Sequence, residues 1–151
     1  MPTRRAPMVR AWLLGCLLAA AGAGPAQAEF PLFRISTADT RITEYALSME
    51  EIRRAPRVSE VRVAEFHRRD QRARRWMMCM FNTLAVLRGF EYWTVVYPQP
   101  GSDVVLVGFP RSMTEDLAAF DPRFDTRRAL GIIAPIERGV RLCKDLRPQS
   151  N

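Results

Sequence analysis

Ala73, Met77, Met80, Leu84 and Leu87 recur at three- and four-residue spacing. That is the period of an amphipathic helix, expected here from about Asp70 to Arg88. Asp70 stands where an N-cap belongs and Gly89 where a C′ glycine belongs. From 76 to 81 the segment is apolar on every side, so that turn is expected to be buried. Period-two alternation marks one strand. Val61 and Val63 alternate with Arg62 in a strand expected over 58–66. Residues 91–97 are rich in aromatic and β-branched side chains, and 103–109 form a second apolar run. The Pro98-Gln99-Pro100-Gly101-Ser102 cluster between them predicts a hairpin.

The rest of the pattern is less regular. Residues 29–38 read as extended, with Pro31 pointing to an edge or a strand start. Residues 41–54 admit two readings. Ile42, Tyr45, Ala46, Met49 and Ile52 fit one helical stripe. Alternatively, 41–47 is a strand and Ser48-Met49-Glu50-Glu51 is a capping box that opens a short helix. Pro56 ends either version. Ser112-Met113-Thr114-Glu115 is a second capping box, starting a short helix to about Phe120. Another helical turn or two is expected within 126–134. Residues 140–146 form a short terminal element, strand or helix, that carries Cys143. The sum is an α+β fold: a small antiparallel sheet packed by helices on one face.

The first 28 residues stand apart. Arg4, Arg5 and Arg10 face no acid there, an apolar run extends from 11 to about 23, Pro25 breaks it, and Ala26-Gln27-Ala28 has the small-x-small form of a cleavage site. We read 1–28 as a signal peptide cleaved after Ala28, followed by one domain over 29–151. The run is too short and too rich in Ala and Gly for a transmembrane anchor, which needs about 20 apolar residues. Leu13-Leu14-Gly15-Cys16 resembles a lipobox, which would make Cys16 a lipidation site, but the apolar run continues past it. No later segment approaches the length of a membrane span. The expected location is the periplasm.

Cleavage changes the composition. The 151-residue chain carries 23 basic and 16 acidic side chains, a net charge of +7. Removing three arginines leaves +4 on the mature chain. With 48% hydrophobic residues the full chain has the make-up of an ordinary globular protein, which excludes a disordered chain or a fibre. Lys144 is the only lysine. Cys79 and Cys143 remain after export, with one possible pairing, and an oxidising compartment favours their disulfide.

The stretch from Cys79 to Val96 contains Leu87-Arg88-Gly89-Phe90-Glu91-Tyr92-Trp93. It resembles the helix–Gly–aromatic–strand unit of small exported proteobacterial cell-envelope proteins of uncharacterised function, many of them lipoproteins. The resemblance covers about 20 to 40 residues. It implies export and a small α+β domain, and it assigns no site residues.

Charge is the strongest hint of function. Residues 53–75 hold nine arginines against Glu60, Glu65 and Asp70, whereas 91–125 hold six acids against Arg111 and Arg123. Guanidinium forks bind phosphate and carboxylate, and a clustered field attracts anions. The candidate binding residues are Arg68, Arg69, Arg72 and Arg75. Outside the cytoplasm their partners would be an anionic lipid or glycan surface, or an acidic protein. Nucleic acid fits the charge but not the compartment. A solvated helix start, ion-paired to the acidic half, is the structural alternative.

Other chemistries find little support. The chain has no G-x-S-x-G, H-E-x-x-H, C-x-x-C, Walker A or dinucleotide glycine pattern. His67 is the only histidine. Glu115-Asp116 or Asp121/Asp125 could serve as carboxylate pairs only in a shaped cleft. Met77-Met78-Cys79-Met80 offers soft ligands of the kind that take Cu(I), or simply core filling. Trp76, Tyr92 and Trp93 are core or a ligand platform. We therefore expect a non-enzymatic exported binding or scaffold protein without cofactor or metal. An enzyme of unrecognised mechanism and a soft-metal binder are the alternatives.

Overall fold

A computed structural model describes residues 31–42, 45–65, 70–125, 132–144 and 146. Residues 1–30 (with Cys16), residues 66–69 (with His67, Arg68 and Arg69) and residues 126–131 lie outside them.

The strands are β1 (Arg34–Ser36), β2 (Ser48–Ala55), β3 (Val58–Val63), β4 (Tyr92–Val96), β5 (Val104–Gly108) and β6 (Ala134–Pro135). They form one six-stranded sheet in the order β1-β2-β3-β5-β4-β6, with every pair antiparallel. Helices α1 (Gln71–Leu87) and α3 (Ile136–Lys144) frame it with the four-residue α2 (Leu117–Phe120), which a 3₁₀ turn (Pro122–Phe124) follows. The fold is α+β, as the alternation of periods implied.

Two clusters explain why these elements meet. Met49, Val61, Val63, Trp93, Val95, Val105 and Val107 point to one face and pack with Trp76, Met77, Met80, Phe81 and Leu84 of α1. The intervening Val58, Val96 and Leu106 point the other way and meet Leu117 and Phe124. Alternation along each strand produces both faces at once. The main core and the longest helix lie on one face; α2 and the 3₁₀ turn cover part of the other.

The α1 reading holds in detail. Asp70 caps the helix by accepting from the Ala73 amide at 2.7 Å. Gly89 follows the helix at φ +75°, a conformation that favours glycine. Trp76, Met77, Cys79, Met80 and Phe81 are buried and Met78 half-buried. Leu87 departs from its expected stripe: it is 68% exposed at the end of the helix.

Residues 48–55 overturn both helical readings. No helix starts at Ser48, because Ser48–Ala55 is the strand β2, joined to β3 by the Pro56-Arg57 turn. A bulge between Glu51 and Arg53 explains the misleading pattern. In a regular strand Glu51 and Arg54 would face opposite sides. The extra residue Ile52 resets the alternation, so Arg54 pairs across from Ser59 while Glu51 pairs across from Val61. The second capping box is corrected too. Asp116, not Ser112, caps α2, by accepting from the Ala118 amide at 3.1 Å. The terminal element is a helix and begins at Ile136, earlier than expected.

Helix α3 is pinned to α1 by two devices. The Cys79 and Cys143 sulfurs stand 2.00 Å apart with Cα atoms at 5.2 Å. Four residues earlier, Gly139 abuts Asn82, whose Cγ would lie 2.0 Å from a Cβ placed there. Asn82 is itself buried and accepts from the Trp93 indole at 2.8 Å, so it has little room to move. Gly139→Ala is expected to lower stability by about 1–2 kcal/mol, because overpacking outweighs the gain in helix propensity. A thermal melt checks this; an unchanged or raised Tm would show that the close approach is dispensable.

Candidate functional site

Seven of the nine arginines of 53–75 are among the described residues, and these seven do not form one face. The strands and turns send them in several directions, and most of those on the sheet are engaged. Arg54 pairs with Glu51. Arg57 donates to the Phe109 carbonyl at 3.0 Å and to Glu115 at 2.5 Å, and its guanidinium lies 4.7 Å from the Phe120 ring. Arg53 approaches Glu60 at 3.7 Å, and Glu60 also takes Arg123 at 2.8 Å. Two of these pairs, Arg57–Glu115 and Arg123–Glu60, tie the basic segment to the acidic one.

Arg53 and Arg62 are exposed on the sheet, and the start of α1 presents a further exposed group. Arg72, Arg74 and Arg75 are exposed there, and Arg72 and Arg75 lie three apart along one side of the helix. Arg68 and Arg69, the other two candidates, precede the helix in sequence. The placement is costly for stability. No acid occupies the first turn of α1. The N-terminal end of a helix carries positive partial charge, so acids there stabilise and cations do the reverse, by about 0.3–1 kcal/mol each.

The carboxylates considered for catalysis have structural partners. Glu115 accepts from Arg57 and from the Arg111 amide. The Arg57 hydrogen bond outweighs burial and holds the Glu115 carboxyl below its usual range. Asp121 caps the 3₁₀ turn and chelates Arg123, which lowers its pKa in the same way. Asp116 is used as a cap.

The soft-ligand reading fails on packing. Met77 and Met80 are buried in the main core and Cys79 is joined to Cys143. Among the described residues no group of three or more His, Cys, Asp or Glu is placed to hold a metal. Trp76 is fully buried, donating to Thr40 Oγ1 at 3.0 Å, and Trp93 is 6% exposed. Neither is an open platform.

One charged cluster was not read from the sequence. Glu51 is fully buried. Its Oε1 accepts from Ser59 Oγ at 2.5 Å and Arg54 Nε at 3.0 Å, and its Oε2 accepts from the Phe33 amide at 3.1 Å and from Arg54 Nη2. Arg88, at the C-cap of α1, donates to Ser59 Oγ at 2.7 Å and to the Ala55 and Pro56 carbonyls at 2.6 and 3.0 Å. Its guanidinium lies 4.8 Å from the Phe109 ring centre. Both carboxylate oxygens are saturated and closed to solvent, so the cluster anchors the end of α1 to the β2–β3 turn. It offers no free acid or base.

Compared with known proteins, the chain matches no family model, no curated protein and no solved structure. Among the described residues no helix is long and apolar enough to cross a membrane.

Proposed function

We propose that this is an exported, non-enzymatic binding domain that meets an anionic component of the cell envelope through the arginines at the start of α1. One observation carries the reading: Arg72 and Arg74 are exposed in the first turn of the helix, where the macrodipole disfavours them, and Arg75 is exposed directly after them. Departures from local stability rules tend to mark functional positions. Arg68 and Arg69 extend the same basic run in sequence. The structurally engaged carboxylates and the core-buried methionines give catalysis and metal binding no comparable support. The leader-like pattern of 1–28 and the Cys79–Cys143 pair fit passage to the periplasm, as does the resemblance to exported envelope proteins.

The mature chain is expected to bind vesicles containing phosphatidylglycerol and to ignore zwitterionic vesicles. Each arginine near such a surface contributes about 1 kcal/mol, screened over about 10 Å at 0.1 M salt. Co-sedimentation across a salt titration checks this. Binding that does not weaken with salt, or that is equal on both vesicle types, contradicts the proposal.

A further inference from the structure

An apolar groove of about 590 Å³ lies where α1, β4 and α3 meet. Helix α1 contributes Met78, β4 contributes Trp93 and Val95, and α3 contributes Leu142. The volume falls within the range of about 300–1,000 Å³ typical of small-molecule sites. Two guanidiniums complete it: Arg138 and Arg141 line the groove, are exposed, and stand three apart on one side of α3. Among the described residues no carboxylate lines it. The walls are fixed in advance, because the Cys79–Cys143 bond and the Gly139–Asn82 contact hold α3 against α1. A preformed site loses less free energy in ordering when it binds.

We infer that this groove binds a single-chain aliphatic carboxylate, of the fatty-acid type. The apolar lining removes the chain from water. The paired guanidiniums match a planar carboxylate, which they can hold bidentately. Charge complementarity selects the occupant: an uncharged apolar segment would leave both arginines without a partner, and a cationic amphiphile would meet them with like charge. The site is separate from the arginines at the start of α1 and goes beyond the surface-binding role proposed for them.

Laurate, below its micellar concentration, is the probe, titrated into the mature chain by calorimetry with indole fluorescence as a second readout, since Trp93 lines the groove. The expected result is one laurate per chain, no competition by dodecyltrimethylammonium, and affinity at least about tenfold weaker in Arg138→Gln/Arg141→Gln. Both substitutions are at exposed positions and leave the core intact. Arg72→Gln/Arg75→Gln should bind laurate as the unaltered chain does, which separates this site from the surface. Failure of laurate to bind overturns the inference. So do equal affinity in the Arg138/Arg141 variant, and a chain dimer in sedimentation that laurate does not dissociate, which would assign the groove to a second copy.

Discussion

Glu51→Ala is expected to cost about 3–5 kcal/mol of folding stability, the effect of breaking a buried charge cluster by removing one partner. The carboxylate is wholly inside. Without it, Ser59 Oγ and the Phe33 amide lose their acceptor and the half-buried Arg54 loses its partner. Arg88 is left beside a neutral site with its guanidinium largely buried. Denaturant unfolding checks the magnitude. A loss below about 1 kcal/mol, the scale of an exposed ion pair, would show that the cluster does not anchor α1.

The same residue gives a pH dependence. Burial alone would raise the Glu51 carboxyl. The hydrogen bonds from Arg54, Ser59 and the Phe33 amide outweigh it, so the folded value lies below the ordinary one. A lowered carboxyl contributes stability that is present above its unfolded pKa, about 4.3 for glutamate, and lost as pH falls through the folded value. The unaltered protein should therefore weaken on acidification from about pH 5 downward. Glu51→Gln should weaken less steeply, though not flatly, because Glu115 and Asp121 are lowered as well. Identical slopes would remove Glu51 from the account of acid stability.

Removing the disulfide, as Cys79→Ala/Cys143→Ala, is expected to cost about 4 kcal/mol by loop-closure entropy, for a bridge spanning 64 residues. The loss should be uneven. Helix α3 holds to the rest through α1, the two-residue β6 and the Gly139–Asn82 contact, whereas β2, β3 and β5 are bound along their lengths. Hydrogen exchange should show α3 amides losing protection while the β2–β3 hairpin keeps it. Uniform loss across the sheet would place α3 inside the cooperative core instead.

Legibility followed periodicity. Helix α1, with Asp70 and Gly89 at its ends, and strands β3, β4 and β5 each follow one simple signal, a helical stripe up to Leu84, alternation in β3 and short apolar runs in β4 and β5, so local pattern and tertiary burial agree. Strand β2 does not. Its bulge at Ile52 puts Met49, Glu51 and Arg54 on one side, a spacing that is neither two nor 3.6, and its buried glutamate imitates a capping box. Glu115 misled for a related reason. Its side chain serves Arg57, 58 residues earlier in the chain, rather than the nearest helix. The arginine run looked continuous because a linear charge count joins side chains that strands and turns send to different faces. The groove was invisible for the same cause: α1, β4 and α3 meet only in the fold.

The claim that the basic run leading into α1 serves binding rather than folding is tested most directly by one comparison. Arg68, Arg69, Arg72 and Arg75 are replaced by glutamine, and binding to phosphatidylglycerol vesicles is measured at low salt on protein whose Tm is recorded. The expected result is affinity lower by about a hundredfold or more, with Tm unchanged or raised as the charges at the helix start are removed. Affinity equal to that of the unaltered chain would contradict the proposed function.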